Sequence, residues 1–247
     1  LQPVTFIKIF PSDINITYSK ISKQHLISEG FPIDQIIHVG SPIKEVLFSM
    51  NKKILNSKIL NKLKIKNNDY FLVSLHREEN TVENKLNYLM NEIRNLSLFY
   101  KKKVIFSLHP RTLKILKSNI KKYKKFIFLT PSKFSDYIFL QKNAFCVISD
   151  SGSLMEESSI LNFPSISLRD STERAEGMEE GVLIMSGFNR DKLINGIRIV
   201  TNNENSKRQK LVKDYDVENV SDKISVIVAS YIDYINNKIW KKNVKTF

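Results

Sequence analysis

One alternation constrains this chain more than any other feature. Apolar runs at 70–75, 104–108, 126–129, 145–148 and 165–168 are each the length of a strand. Between them, Leu86, Leu89, Met90, Ile93 and Leu96 recur at helical spacing. Stretches 113–119, 134–141 and 154–161 have helix-forming composition. Runs this apolar need cover on both faces, and strand–helix–strand repeats close parallel pairs. The alternation therefore predicts an α/β fold: a Rossmann-like, doubly wound parallel sheet with helices on both sides.

The flanks are less regular. Residues 14–18 alternate like a strand, 19–29 read as a helix stopped by Gly30, and 36–39 as a short strand running into the turn Gly40-Ser41-Pro42. Helical pieces over 44–50 and 57–63 follow. Near the end, Ile224, Ile227, Val228, Tyr231 and Ile235 share one face of a helix from Ser221, its expected N-cap, to about Lys241. A helix this long after an α/β unit often packs across to another domain.

Composition removes several classes of function. The 247 residues allow one large domain or two small ones, and 42% apolar content supplies a core. Net charge is +14, which favours anionic partners. The lysines are scattered among Asn and Ile, as in Lys101-Lys102-Lys103, and no zinc-finger spacing or aromatic-basic motif accompanies them. A nucleotide-sized anion fits this pattern better than nucleic acid. Cys146 is the single cysteine and falls in an apolar run, so neither a disulfide framework nor a cysteine metal site is supported, consistent with a reducing cytoplasm. No apolar run reaches the ~18 residues of a membrane span, and no secretory leader is visible. The chain begins at Leu1, which fits a fragment or a processed product.

In doubly wound folds ligands bind outside the carboxyl ends of the strands. Four clusters fall there: His76-Arg77-Glu78-Glu79-Asn80, His109-Pro110-Arg111, Asp150-Ser151-Gly152-Ser153, and the segment from Arg169 to Arg174. Ser151, Gly152 and Ser153 are small and precede a helix, where free N–H groups favour an anion. Arg77 and Arg174 can grip phosphate oxygens as forks. Glu157 reads equally as a ribose-diol acceptor and as a surface carboxylate. Tyr137 can stack on a base, although beside Phe134 it also reads as core. His76 suits acid–base work near neutral pH or donation to a phosphate.

These motifs, in this order across roughly residues 70–190, resemble the non-hydrolysing UDP-N-acetylglucosamine 2-epimerase family. The segments that carry the resemblance are 76–80, His109-Pro110, 149–157 (SDSGSLMEE) and 169–174 (RDSTER). The resemblance implies a two-domain glycosyltransferase-B fold, of which this chain is the C-terminal half. Residues 1–40 would be the tail of a truncated N-terminal Rossmann-like domain, 41–220 the UDP-binding domain, and 221–247 a helix packing back toward the first domain. It implies a mechanism in which a base removes the proton at sugar carbon 2 and UDP leaves. UDP then returns with protonation on the opposite face. By carry-over, Ser151, Gly152, Ser153 and Arg174 bind the diphosphate, Glu157 the ribose and Tyr137 the uracil. His76 sits at the reacting centre or the phosphate. Arg77 and His109 border a second UDP-sugar that acts as activator in some members. No cofactor or metal is implied, and the full-length protein is expected to be a homodimer.

The Glu78 form of the first motif, Gly40-Ser41-Pro42 and the ending from Asp214-Tyr215 to Trp240 look like the capsule and O-antigen branch that makes UDP-N-acetyl-L-fucosamine. Two departures stand out. Ser153 occupies the place of a second glycine, and the family's proton-transferring Asp and Glu groups belong to the domain that precedes this sequence. The chain alone is therefore expected to bind UDP without turnover. A glycosyltransferase of the same fold and a non-catalytic UDP-sugar-binding module remain as alternatives.

Overall fold

A computed structural model of the chain describes residues 13–75, 77, 83–108, 120–123, 125–130, 132–202 and 210–242. The apolar runs form the strands of one parallel sheet: β3 (Tyr70–Leu75), β4 (Lys103–Leu108), β5 (Phe126–Leu129), β6 (Cys146–Ser149), β7 (Ser165–Ser167) and β8 (Ile184–Met185). Their spatial order is β5-β4-β3-β6-β7-β8. The chain thus builds outward from β3 to β5, then returns beside β3 and builds the other way. The reversal leaves a crevice at the carboxyl ends of β3 and β6, the switch point where doubly wound sheets hold ligands. The predicted α/β class and parallel sheet hold.

Strand alternation sorts the core into two layers. Phe71, Val73 and Leu75 of β3 face the layer built by α5 (Glu83–Tyr100) and α9 (Arg190–Val200), against Leu86, Leu89, Met90, Ile93, Leu193 and Ile197. Tyr70 and Leu72 face the other layer. There they meet Leu140 of α6 (Phe134–Lys142) and Leu154 and Met155 of α7 (Leu154–Leu161). All five of these β3 side chains are fully enclosed, each worth about 1.5–3 kcal/mol of burial. Cys146 is likewise buried as a small apolar group.

Before this sheet comes a second, smaller one. β1 (Asn15–Thr17) and β2 (Ile36–His38) pair in parallel around α1 (Lys20–Ser28). Helices α2 (Ile43–Ser49), α3 (Asn51–Leu55) and α4 (Ile59–Leu63) lead from it to β3. Near the other end, α10 (Val220–Tyr234) continues as one π turn over Ile235–Ile239. It returns to the small sheet, where the Tyr234 hydroxyl donates to Asp34 at 2.5 Å and Trp240 Nε1 to Asp13 at 3.2 Å. An apolar groove of about 360 Å³, lined by Ile14, Ile16, Ile227, Tyr231 and Trp240 among others, lies between them.

Some sequence expectations change. The cap of α10 is Asn219 in the left-handed conformation (φ 60°), which Asn tolerates, and not Ser221. Ser221 lies inside the first turn and its N–H donates to Glu45. Val228, expected on the apolar face, is exposed. The expected helix at 113–119 lies outside the described residues. Strand β8, α8 (Ala175–Glu179) and α9 were not anticipated. The first two are too short to show a period, whereas Leu193, Ile197 and Val200 carry a helical stripe in plain sight. Among the described residues no helix is long and apolar enough to cross a membrane, and no cluster of His, Cys, Asp and Glu is placed to hold a metal.

Gly40 closes the link after β2 with φ +94°, and a Cβ there would lie 2.8 Å from Val217 Cβ and Cγ2. Gly30 has φ +89° with nothing within 4 Å. Gly40→Ala should therefore cost about 3 kcal/mol, strain plus overpacking, or roughly 10 °C in Tm. Gly30→Ala should cost about 1 kcal/mol, for strain alone. Thermal unfolding followed by circular dichroism compares them, and equal losses would contradict the packing account.

Candidate functional site

Sheet register builds the site. β3 places Ser74 opposite Ser107 on one side and Ser149 on the other, and Ser149 stands opposite Ser167. Four serines therefore form one row across the sheet near its carboxyl edge. Small hydroxyls at strand ends can hold the next turn by accepting a backbone N–H two residues on. Ser149 Oγ accepts Ser151 N–H at 3.1 Å, and Ser167 Oγ accepts Arg169 N–H at 3.3 Å. Ser74 Oγ joins the row to helix α6, lying 2.7 Å from Ser149 Oγ and 2.9 Å from the Tyr137 hydroxyl.

The exits of β3 and β6 are tied directly. Asp150 is fully buried and its Oδ2 accepts the Arg77 N–H at 3.1 Å. A buried carboxylate needs such donors, and this one arrives from across the switch point. The turn Ser151-Gly152-Ser153 follows. Ser151 Oγ and Ser153 Oγ lie 3.0 Å apart. Ser153 is the N-cap of α7 but makes no side-chain cap bond, so the first-turn N–H groups are not satisfied in that way. Gly152 has ordinary space around it, since a Cβ would meet only Arg169 Nη1 at 3.8 Å.

Arg169 opens the 169–174 segment, where the sequence alone gives it no role of its own. It is 6% exposed, its Nη2 forks onto Glu173 at 2.7 and 2.8 Å, and its buried Nε finds no partner among the described residues. The Arg169 hydrogen bond holds the Glu173 carboxyl below its ordinary range. A cleft of about 10 Å³ separates Arg169 from Ser151 and Gly152. That is room for about one water, so the guanidinium sits almost against the turn.

Glu157 lies one turn into α7. It is 7% exposed, and Gln141 Nε2 donates to its Oε2 at 2.6 Å. Burial pushes its carboxyl above the ordinary value, opposed by hydrogen bonds from Gln141 and Ser153. The surface-carboxylate reading of Glu157 is thereby overturned. Tyr137 is half-buried against the second core layer with its hydroxyl on Ser74, and burial raises its phenol. The charges of Glu157 and Asp150 add to that rise.

Arg174 reaches the turn at Gly152. Its Nε donates to the Gly152 carbonyl at 2.9 Å, its Nη2 pairs with Glu156 at 2.9 Å, and its guanidinium lies 4.5 Å over the Tyr18 ring. The structure thus brings Ser151, Gly152, Ser153, Glu157 and Tyr137 together at the strand exits, with the Arg77 N–H on Asp150 and Arg174 on the Gly152 carbonyl. His76, His109 and Glu78 lie outside the described residues. Ser74 and Gln141 carry no site signal in the sequence beyond a polar residue inside an apolar run or on a helix, and Ser149 is visible there only as the first residue of the 149–157 motif.

Known proteins bear on what such a crevice does. The family model described as UDP-N-acetylglucosamine 2-epimerase matches residues 10–229. The curated UDP-N-acetylglucosamine 2-epimerase of Methanocaldococcus jannaschii is 37% identical over 195 residues, covering 74% of this chain and 53% of its own length. Among solved structures, UDP-N-acetylglucosamine 2-epimerase from Rickettsia bellii superposes with a TM-score of 0.84 at 41% identity. That match covers 94% of this chain and 63% of the other. The M. jannaschii UDP-GlcNAc 2-epimerase in complex with UDP-GlcNAc and UDP gives 0.77 at 32% identity, over 89% of this chain and 61% of the other. The chain spans about half the length of the curated relatives it matches. On the family match, the shared sequence and the shared fold, this chain belongs to the UDP-N-acetylglucosamine 2-epimerase family, a family of isomerases.

Proposed function

We propose that the crevice between the exits of β3 and β6 binds the UDP moiety of a UDP-sugar, and that the chain is the nucleotide-holding part of a UDP-sugar 2-epimerase. The observation that carries this reading is a convergence at the switch point. The uncapped start of α7, the Arg169 guanidinium beside Gly152 and the buried Glu157 carboxylate all meet there. In this reading the N–H groups of Gly152 and Ser153 and the hydroxyl of Ser151 hold the diphosphate. Arg174 helps to hold it, and Arg169 lies beside the turn; each has a buried donor unmatched among the described residues. Glu157 accepts from the ribose hydroxyls and Tyr137 borders the base.

The reaction needs the nucleotide fixed while its sugar bond breaks. A base takes the carbon-2 proton, and the bond from sugar carbon 1 to the UDP oxygen breaks. UDP is held as a leaving group, and its oxygen then re-adds with protonation on the other face. Preorganised donors on the departing diphosphate stabilise the charge that develops there. The acid–base groups come, by the resemblance, from a preceding Rossmann-like domain of which the β1–α1–β2 unit is the tail, the crevice domain occupying 41–220. The apolar groove beneath α10 is where that domain would pack. His76 serves the reacting centre, Arg77 and His109 border an activating second UDP-sugar, and the whole protein is a homodimer. The Glu78 motif and the Asp214–Trp240 ending support a 6-deoxy sugar for capsule or O-antigen synthesis.

Titration calorimetry with UDP tests the reading. The chain should bind UDP, and Arg169→Gln should weaken binding about tenfold or more. No heat on adding UDP to the unaltered chain would overturn it. Incubated alone with UDP-N-acetylglucosamine in deuterated water, the chain should leave carbon 2 unlabelled. Deuterium there would place the proton-moving groups within it.

Glu157 gives a pH signature. Its carboxyl is raised in the folded state, so folding holds the proton more tightly than the unfolded chain does. The stability this confers is present below the ordinary Glu value of about 4.3 and is lost as pH rises through the higher folded value. Glu157→Gln removes that loss. Its Tm relative to the unaltered chain should improve as pH rises from about 4 to about 8, while its affinity for UDP falls. Differential scanning calorimetry across pH measures the first effect, and a pH-independent Tm difference would contradict the burial argument.

A further inference from the structure

The two ends of the large sheet carry different chemistry. The crevice lies at the carboxyl ends of the strands. At the amino ends the chain enters four adjacent strands through lysines. Lys64 and Lys66 precede β3, Lys101 precedes β4, Lys125 precedes β5 and Lys142 precedes β6, and all five are exposed. Parallel pairing sets these entries side by side, with Tyr70 opposite Lys103, Phe71 opposite Cys146 and Val104 opposite Phe126. Lys102 ties three of them together: from the entry to β4 its Nζ donates to the Asn68 carbonyl at 2.6 Å and lies 4.9 Å over the Phe145 ring. Segments 62–69, 98–103, 122–125 and 141–145 together contain one acid, Asp69, and no arginine. The last turn of α5 reaches the same edge, and there Leu98 is 58% and Phe99 70% exposed.

Folding does not ask for lysine at two of these places. Lys64 and Lys101 both have φ +53°, a left-handed backbone that Gly or Asn adopts with less strain. An exposed cluster of one sign attracts an anionic surface. Lysines beside an exposed aromatic ring suit the headgroup layer of an anionic membrane: the ammonium groups meet lipid phosphates while the apolar side chains enter the acyl boundary. A nucleic acid would be gripped by arginine forks, and these segments hold no arginine. We propose that the amino edge of the large sheet docks on an anionic lipid bilayer, with the lysines at 64, 66, 101, 125 and 142 on the headgroups and Leu98 and Phe99 inserted beside them. The chain then lies on the membrane without crossing it, and the crevice, at the opposite ends of the same strands, faces the solution. Nothing in this surface depends on what the crevice binds.

Sedimentation of the full chain with lipid vesicles tests this. The chain should pellet with phosphatidylcholine vesicles containing about one-third phosphatidylglycerol and stay in solution with phosphatidylcholine alone. Raising salt from about 0.1 M to about 1 M, which shortens the screening length from ~10 Å to ~3 Å, should release it. Asn suits a left-handed backbone, so Lys64→Asn with Lys101→Asn removes two charges without straining the fold, and should weaken vesicle binding about twentyfold. The same charge removed on α9 and α10, as Lys192→Asn with Lys223→Asn, should leave affinity within about twofold. Phe99→Ser should weaken binding about fivefold. No pelleting with the anionic vesicles would overturn the proposal. So would equal losses from the two lysine pairs, which would make net charge the cause, and so would a Phe99→Ser chain that binds as before. Release from the vesicles by UDP would place the lipid phosphates in the crevice and overturn it too. A chain that prefers a short RNA duplex to the anionic vesicles in the same buffer would overturn the assignment to lipid.

Discussion

The pairing of β3 with β6 is the constraint on which the rest depends. It sets Ser74 against Ser149 and leaves the two exits side by side, so that Asp150 reaches the Arg77 N–H. The polar groups do not choose this register. A one-residue slip would turn Phe71, Val73 and Leu75 into the layer that now receives Tyr70 and Leu72, exchanging every buried side chain of the strand. Each of those burials is worth about 1.5–3 kcal/mol, against roughly 1 kcal/mol for a hydroxyl hydrogen bond. The core fixes the register, and the serine row inherits its alignment.

The distribution of charge follows a related logic. The chain carries 39 basic and 25 acidic residues, yet the carboxylates Asp150, Glu156, Glu157 and Glu176 are all buried near the carboxyl edge. Each has a donor: the Arg77 amide, Ser41 with Arg174, Gln141, and Ser19 with Tyr215. Carboxylates spent on internal donors leave the Ser151–Ser153 turn with Arg169 beside it, in a chain whose net positive charge attracts an anionic ligand from a distance.

What the sequence revealed follows from the range of each interaction. The five long apolar runs were legible because two-sided burial leaves a mark on every residue of a strand. Strand β8 was not, since two residues carry no period. The Ser151–Ser153 turn was legible as small residues before a helix. The burial of Glu157 was not, because it depends on Gln141 arriving from α6. Arg169 and Arg174 show the limit most clearly. Both sit in one charged loop and read alike, yet one forks onto Glu173 and the other is drawn to Glu156 and Tyr18. Partners distant in sequence made that choice.

The serine at 153 can now be explained. The family motif carries a second glycine there, which would matter if the backbone needed a conformation closed to L-residues. It does not: Ser153 has φ −71° and ψ −14°, ordinary helical values that any residue adopts. Its hydroxyl turns toward Ser151 Oγ, so the side chain need not lie where a ligand approaches. Gly152 is likewise free of positive φ, and the protein around it would admit a methyl group. Neither position needs glycine for folding. The turn is held instead by two contacts, Ser149 Oγ on the Ser151 N–H and Arg174 on the Gly152 carbonyl. A serine at 153 therefore leaves the backbone of the turn as a glycine would, because neither its φ nor its packing asks for glycine.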